Sequence, residues 1–164
     1  MSPSLEIVPQ GVLSYSYDIL LEGTAFGRIE NKAVFLLERA TVWAGAVQYA
    51  ARRQGLFHPR YLLETEGGAL RARAEKSRIW WEEYRVDFDG RAVTIRELPF
   101  RLKGTWVISD PSGQIGTIVK ERVTSRRLVV EFPAWAAAPP MEVTVFLGWI
   151  TLVIMRRRRV SGSS

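Results

Sequence analysis

Glycines recur along this chain at a spacing that one fold class explains. Gly68, Gly90 and Gly113 lie 22 and 23 residues apart, and the same step backwards lands on Gly45 and Gly23. Each sits between stretches that alternate apolar and polar residues. In Tyr84–Arg96, Tyr84, Val86 and Phe88 share one face and Arg85, Asp87 and Asp89 the other. In Tyr61–Glu75, Leu70, Ala72 and Ala74 alternate with Arg71, Arg73 and Glu75. Period-two alternation is the mark of a strand with one buried face. Asp89-Gly90 is a tight hairpin signal, because glycine takes positive φ without a steric penalty. Asp110-Pro-Ser-Gly113, within Thr105–Lys120, reads as a longer turn of the same kind. Five such hairpins predict about ten strands, and Arg126–Phe132 reads as one more. Residues 33–53 are alanine-rich enough for a helix. Thr41, Val42 and Trp43 favour a strand, Gly45 weakens a helix, and the repeat tips the segment toward a hairpin.

The period changes at the C-terminus. Pro139-Pro140 precede Met141–Met155, which is apolar on every face apart from Glu142, Thr144 and Thr151. Proline suits a helix start, and an arginine block at the far end suits the negative pole of the helix dipole. A helix apolar all round must be buried in protein or in lipid. Fifteen residues span roughly 22 Å at ~1.5 Å each, short of the ~30 Å of a bilayer core. A helix at the centre of the protein is the expectation, and a tail anchor with 141–155 inserted in a membrane is the alternative.

These two features together resemble the tubby C-terminal-like superfamily, which includes tubby proteins, plant LURP-one-related proteins and phospholipid scramblases. The resemblance rests on the strand–glycine–strand units at Tyr84–Arg96 and Thr105–Lys120 and on Phe146–Arg156. It covers residues 10–156. It implies a mainly β fold: a closed antiparallel barrel of about 12 strands around a central hydrophobic C-terminal helix. Such a barrel is too wide for strand side chains to fill. Tyr84, Val86, Phe88, Val93, Ile95, Trp106 and Ile108 are then expected to pack on Phe146, Leu147, Trp149, Ile150, Val153 and Ile154. The implied organisation is an N-terminal arm at 1–9, one barrel domain at 10–156 with its core helix at about 141–155, and a basic, serine-rich tail at 157–164.

Charge narrows the function classes. The chain of 164 residues carries 23 Lys plus Arg against 17 Asp plus Glu, a net of +6. Arg156, Arg157, Arg158 and Arg159 supply four of these charges, and without them the count is 19 against 17. A nucleic-acid binder shows a basic face spread over its fold, so this distribution argues against one. The absence of cysteine excludes disulfides, thiolate metal sites and a cysteine nucleophile. The N-terminus carries no secretory signal pattern. A cytoplasmic protein, held at most peripherally on a membrane, is the expectation.

No residue set announces a reaction. Asp87 and Asp89 are too few oxygens for a calcium loop. Glu82 and Glu83 are strand neighbours and point to opposite faces. His58 has no second histidine to work with. Neither catalytic residues, metal ligands nor a cofactor are assigned. The candidates for meeting phosphate are Arg71, Arg73, Lys76, Arg78 and Arg156–Arg159, since guanidinium forks match phosphate oxygens. Trp80 and Trp81 are candidates for stacking, one ring expected in the core and the other half-exposed. Within the resembled superfamily, tubby proteins bind phosphoinositides, and scramblases are associated with lipid redistribution and calcium. This sequence has no cysteine-rich acylation segment, and none of the tubby phosphoinositide-binding residues is carried over. The expected function is a non-enzymatic binding or scaffold domain, with anionic phospholipid headgroups at a membrane surface as the ligand. A tail-anchored protein, and an enzyme or ligand carrier with a pocket at the barrel rim, are the alternatives.

Overall fold

Strand follows strand around a closed ring. The computed structural model describes residues 3–32, 37–99, 104–122 and 125–162. The strands are β1 (Ser4–Pro9), β2 (Ser16–Leu21), β3 (Thr24–Lys32), β4 (Arg39–Ala44), β5 (Val47–Gln54), β6 (Arg60–Thr65), β7 (Leu70–Lys76), β8 (Glu83–Phe88), β9 (Arg91–Glu97), β10 (Thr105–Asp110), β11 (Gly113–Lys120) and β12 (Leu128–Glu131). Each pairs antiparallel with its neighbours in sequence, and β1 pairs with β12 to close the barrel. Closure leaves no unpaired sheet edge. A short 3-10 turn at Trp135–Ala137 leads into helix α1 (Met141–Ser161).

The five repeat glycines all sit at hairpin tips with positive φ, between 63° and 129°. At two tips the preceding residue also has positive φ, Glu22 at 51° and Asp89 at 47°. That is the two-residue turn whose twist matches the strands it joins. In the segment 33–53, which could be a helix, residues 39–53 belong to the β4–β5 hairpin, and 33–36 lie outside the described residues.

Alternation sorts the faces as expected. Tyr84, Val86, Phe88, Val93, Ile95, Trp106 and Ile108 are all buried. The outer face carries charged ladders such as Arg52–Glu64, Arg60–Glu75 and Arg85–Asp87. That is the reverse of a barrel whose outside faces lipid.

A second period lies on top of the first. The register slips by one residue in β3, β7 and β11, leaving Phe26, Arg71 and Ile115 as bulged residues. These lie 45 and 44 residues apart, so every second hairpin carries a bulge. Bulges redirect side chains. The slip in β7 places Leu70 outside, 55% exposed, where unbroken alternation with Ala72 and Ala74 had put it inside.

Helix α1 fills the barrel. Val143 through Ile154 are twelve consecutive buried residues, which only a helix enclosed on all sides can show. Trp149 stacks on Phe146 and meets Tyr61 edge-on, and its Nε1 donates to Asn31 Oδ1 at 2.8 Å. Gly148 lets the helix approach β1, for a Cβ there would stand 2.2 Å from Ile7 Cδ1. Among the described residues no helix is long and apolar enough to cross a membrane, and the apolar length of α1 is used inside the barrel.

Two expected boundaries shift. Residues 4–9 are not an arm: β1 points Leu5 and Ile7 into the core and supplies the closing strand. The helix does not end at residue 155 but continues to Ser161, so most of the expected tail is helical, with residues 163–164 outside the described range.

Candidate functional site

The two ends of the barrel differ in chemistry. The glycine hairpins lie at the end where α1 enters, called here the turn end. The remaining connections, β1–β2, β3–β4, β5–β6, β7–β8, β9–β10 and β11–β12, lie where α1 leaves, the loop end.

At the turn end the helix start is neutralised. Arg71, redirected by its bulge, meets Glu142 of α1 at 2.7 Å and Asp89 at 3.0 Å. These carboxylates hold its guanidinium more firmly charged, the Glu142 hydrogen bond most of all. Arg71 is therefore a latch between hairpin and helix. Arg73 stays on the outer wall beside Glu75, 3.4 Å away.

The loop end collects apolar side chains in water. Among the described residues, the exposed large apolar side chains, apart from Val47 and Leu70, belong to its loops or to the last turns of α1. Val12 and Leu13 project from the β1–β2 loop, Leu56 and Phe57 from β5–β6, Ile79, Trp80 and Trp81 from β7–β8, and Val160 from the helix. Phe57 is 92% exposed and Trp80 90%. Neither tryptophan of the pair is in the core: Trp81 is 54% exposed too, because both stand in the connection between β7 and β8 and not on a strand.

Basic residues surround these apolar tips. Lys76 and Arg78 flank the tryptophan loop, each 3.5 Å from a glutamate, Glu82 and Glu83 respectively. Arg157 and Arg158 are half-buried and paired, with Glu38 at 2.8 Å and Glu97 at 2.6 Å. They pin the helix end to the barrel mouth. Arg156 lies over the Tyr15 ring, 4.6 Å from its centre, and both Arg156 and Arg159 are exposed. Within the arginine block, Arg157 and Arg158 are thus the half-buried members and Arg156 and Arg159 the exposed ones.

Arg156 and Arg159 line a cleft of about 240 Å³ between α1 and the β1–β2 loop. Leu152 and Met155 contribute apolar surface from the helix, and Tyr15 and Tyr17 from the loop and β2. Arg126 completes the cationic rim. It donates to the carbonyls of Ser14 at 2.6 Å, Val12 at 2.7 Å and Gly11, which shapes the loop that carries Val12 and Leu13. Burial pushes the Tyr17 phenol upward, opposed by Arg126, Arg159 and Arg156. Burial and the positive charge of Arg159 push the Lys120 ammonium downward. Burial leads both shifts; the arginines of this mouth work against the first and add to the second.

Of the sequence candidates, the loop end gathers Lys76, Arg78, Trp80, Trp81 and Arg156–Arg159, whereas Arg71 and Arg73 lie elsewhere. Sequence reading missed Arg126, which had been placed on a strand that begins only at Leu128. It also missed the apolar tips at Val12, Leu13, Leu56 and Phe57, whose only signal is large apolar residues next to Pro9, Gly11, Gly55 and Pro59. Comparison with family models, curated proteins and solved structures returns no match.

Proposed function

We propose that this protein is a non-enzymatic membrane-docking domain that sets its loop end against an anionic phospholipid surface. The observation that carries the proposal is the segregation of exposed apolar tips and exposed arginines to one end of a barrel whose wall carries charged ladders. Scattered surface apolar residues need no explanation, but a group of them on one rim marks an interaction surface. Tryptophan and arginine are suited to the water–lipid boundary, the ring lying among headgroups and the guanidinium reaching phosphate. Each basic residue near an anionic leaflet contributes about 1 kcal/mol at physiological salt, and the apolar tips add a part that salt does not screen. Membership of the tubby-like superfamily belongs to the same proposal and is supported by architecture.

Flotation with vesicles tests it. The protein is expected to rise with phosphatidylcholine vesicles containing phosphatidylserine and to remain behind with phosphatidylcholine alone. Replacing Phe57 and Trp80 by serine touches no buried residue and should weaken vesicle binding by about tenfold or more, equivalent to ~1.4 kcal/mol. Absence of flotation on anionic vesicles at low salt, or full binding by the F57S/W80S variant, rejects the proposal.

A further inference from the structure

We infer that Ser161, the last residue of α1, is an acceptor site for an arginine-directed protein kinase, and that its phosphate turns the basic corner of the loop end against an anionic surface. The site stands on its own observations, and its consequence rests on the membrane-docking reading.

The sequence picks out one hydroxyl. Of all the serines and threonines in the chain, Ser161 alone has arginine at both the second and the third position before it, Arg159 and Arg158, and Arg156 and Arg157 extend the run. A kinase with an acidic groove selects its substrate by such fixed offsets, because each guanidinium must reach its own carboxylate while the hydroxyl reaches the nucleotide. Other hydroxyls fall short. Arg39 stands two before Thr41, but Glu38 takes the third place, and Arg91 stands three before Thr94, but Ala92 takes the second. Both threonines also lie within strands, β4 and β9, that are paired on both sides.

Placement makes this hydroxyl reachable. Arg159, Val160, Ser161 and Gly162 are all exposed. Ser161 Oγ donates to the Arg157 carbonyl at 3.1 Å, and the Gly162 N–H donates to that of Arg158 at 3.0 Å. These are bonds of a terminal turn, and helix ends open at little free-energy cost. A kinase groove takes its substrate extended, so the turn unwinds from Arg158 onward. Arg158 then exchanges Glu97, 2.6 Å away at rest, for a carboxylate of the kinase. Arg157 stays with Glu38 at 2.8 Å and keeps the remainder of the helix seated.

The reaction is a phosphoryl transfer. The Ser161 oxygen bonds to the γ-phosphorus of ATP, the bond from that phosphorus to the bridging oxygen breaks, ADP leaves, and the hydroxyl proton passes to the base of the kinase. The product carries close to two negative charges at pH 7. Arg156–Arg159 supply four positive ones, so the phosphate cancels about half the charge of the block. Ser161 shares a recess with Arg157, Arg158 and Glu82, which places the phosphate within the basic group it offsets. The new dianion also stands at the negative pole of the helix, where an anion is disfavoured. Its hydration keeps the neighbouring apolar tip, exposed Val160, in water.

Incubation of the full-length protein with magnesium ATP and the catalytic subunit of cyclic-AMP-dependent kinase tests the site. Intact mass is expected to rise by one phosphoryl group, about 80 Da. S161A should take up none, and R159Q should take it up at least about tenfold more slowly with an unchanged melting temperature. No incorporation, incorporation that S161A leaves in place, or equal rates for R159Q and the parent overturns the site. Flotation on phosphatidylserine-containing vesicles tests the consequence. The phosphorylated protein is expected to bind at least about tenfold more weakly than the unmodified one, and phosphatase treatment to restore binding. Equal flotation of the two forms overturns the switch and keeps both the site and the docking. Unmodified protein that fails to float rejects docking and the switch with it, while the mass measurement still decides the site.

Discussion

A chain cut after Pro140 is expected to lose cooperative unfolding altogether and to collect in the insoluble fraction. What remains soluble should show a β-type far-ultraviolet spectrum, bind hydrophobic dyes and melt without a transition. The reason lies in what α1 buries. Phe146, Leu147, Trp149 and Ile150 have no exposed surface at all. Burying a large apolar side chain contributes about 1.5–3 kcal/mol, so these four alone compare with the ~5–15 kcal/mol net stability of a whole domain. Their removal also strips the partners from Ile7, Tyr61, Trp106 and the rest of the inward wall, and twelve strands cannot close over the gap. A truncated protein that unfolds cooperatively near the melting temperature of the full chain would show that the strands make a core without the helix.

The helix and hairpins could be read from the letters because both depend on short-range rules. A turn with positive φ selects glycine, so Gly23, Gly45, Gly68, Gly90 and Gly113 announced the tips. Two-residue alternation announced the flanks. An all-apolar segment ending in arginines announced something enclosed. Features set by long-range pairing were not legible. Leu5 and Ile7 alternate over only six residues and precede Pro9 and Gly11, and nothing local says that they meet Leu128 and Val130 across the ring. The bulges at Phe26, Arg71 and Ile115 depend on how two strands slide past each other, so Leu70 was assigned to the wrong face.

The site was harder for a related reason. Charge can be counted from a sequence, but which charges remain outward depends on where acids fall in space. Arg156–Arg159 read as one block, yet Glu38 and Glu97, more than fifty residues away in the chain, take the middle two. Exposure of apolar loop residues is likewise a property of the closed barrel: Val12 and Leu13 look like the start of a strand until Ser16 is seen to begin it.

Gly27→Ala is expected to be the most damaging single-methyl change in the barrel, and the contrast with Gly148→Ala shows why. A Cβ at Gly27 would lie 2.0 Å from the carbonyl oxygen of Trp43 and 3.0 Å from its carbonyl carbon. Gly27 sits beside the β3 bulge and opposite Ala44 in β4, so the obstacle is ladder backbone that cannot rotate aside. Overpacking a tight site typically costs 1–3 kcal/mol. With no flexible atom to yield, about 3 kcal/mol is the expected loss, a fall in Tm of roughly 6–12 °C for a chain of this size. A thermal melt followed by circular dichroism measures it, and a G27A protein melting within about 2 °C of the parent would defeat the argument. At Gly148 the nearest atom is the end of a side chain, Ile7 Cδ1 at 2.2 Å, and the next is 3.7 Å away. Alanine there also gains roughly 0.5–1 kcal/mol over glycine inside a helix. Replacing Ile7 by valine removes the clashing methyl, so G148A added to I7V is expected to raise stability above that of I7V alone. No substitution at position 43 can do the same for Gly27, because every residue placed there brings the same carbonyl.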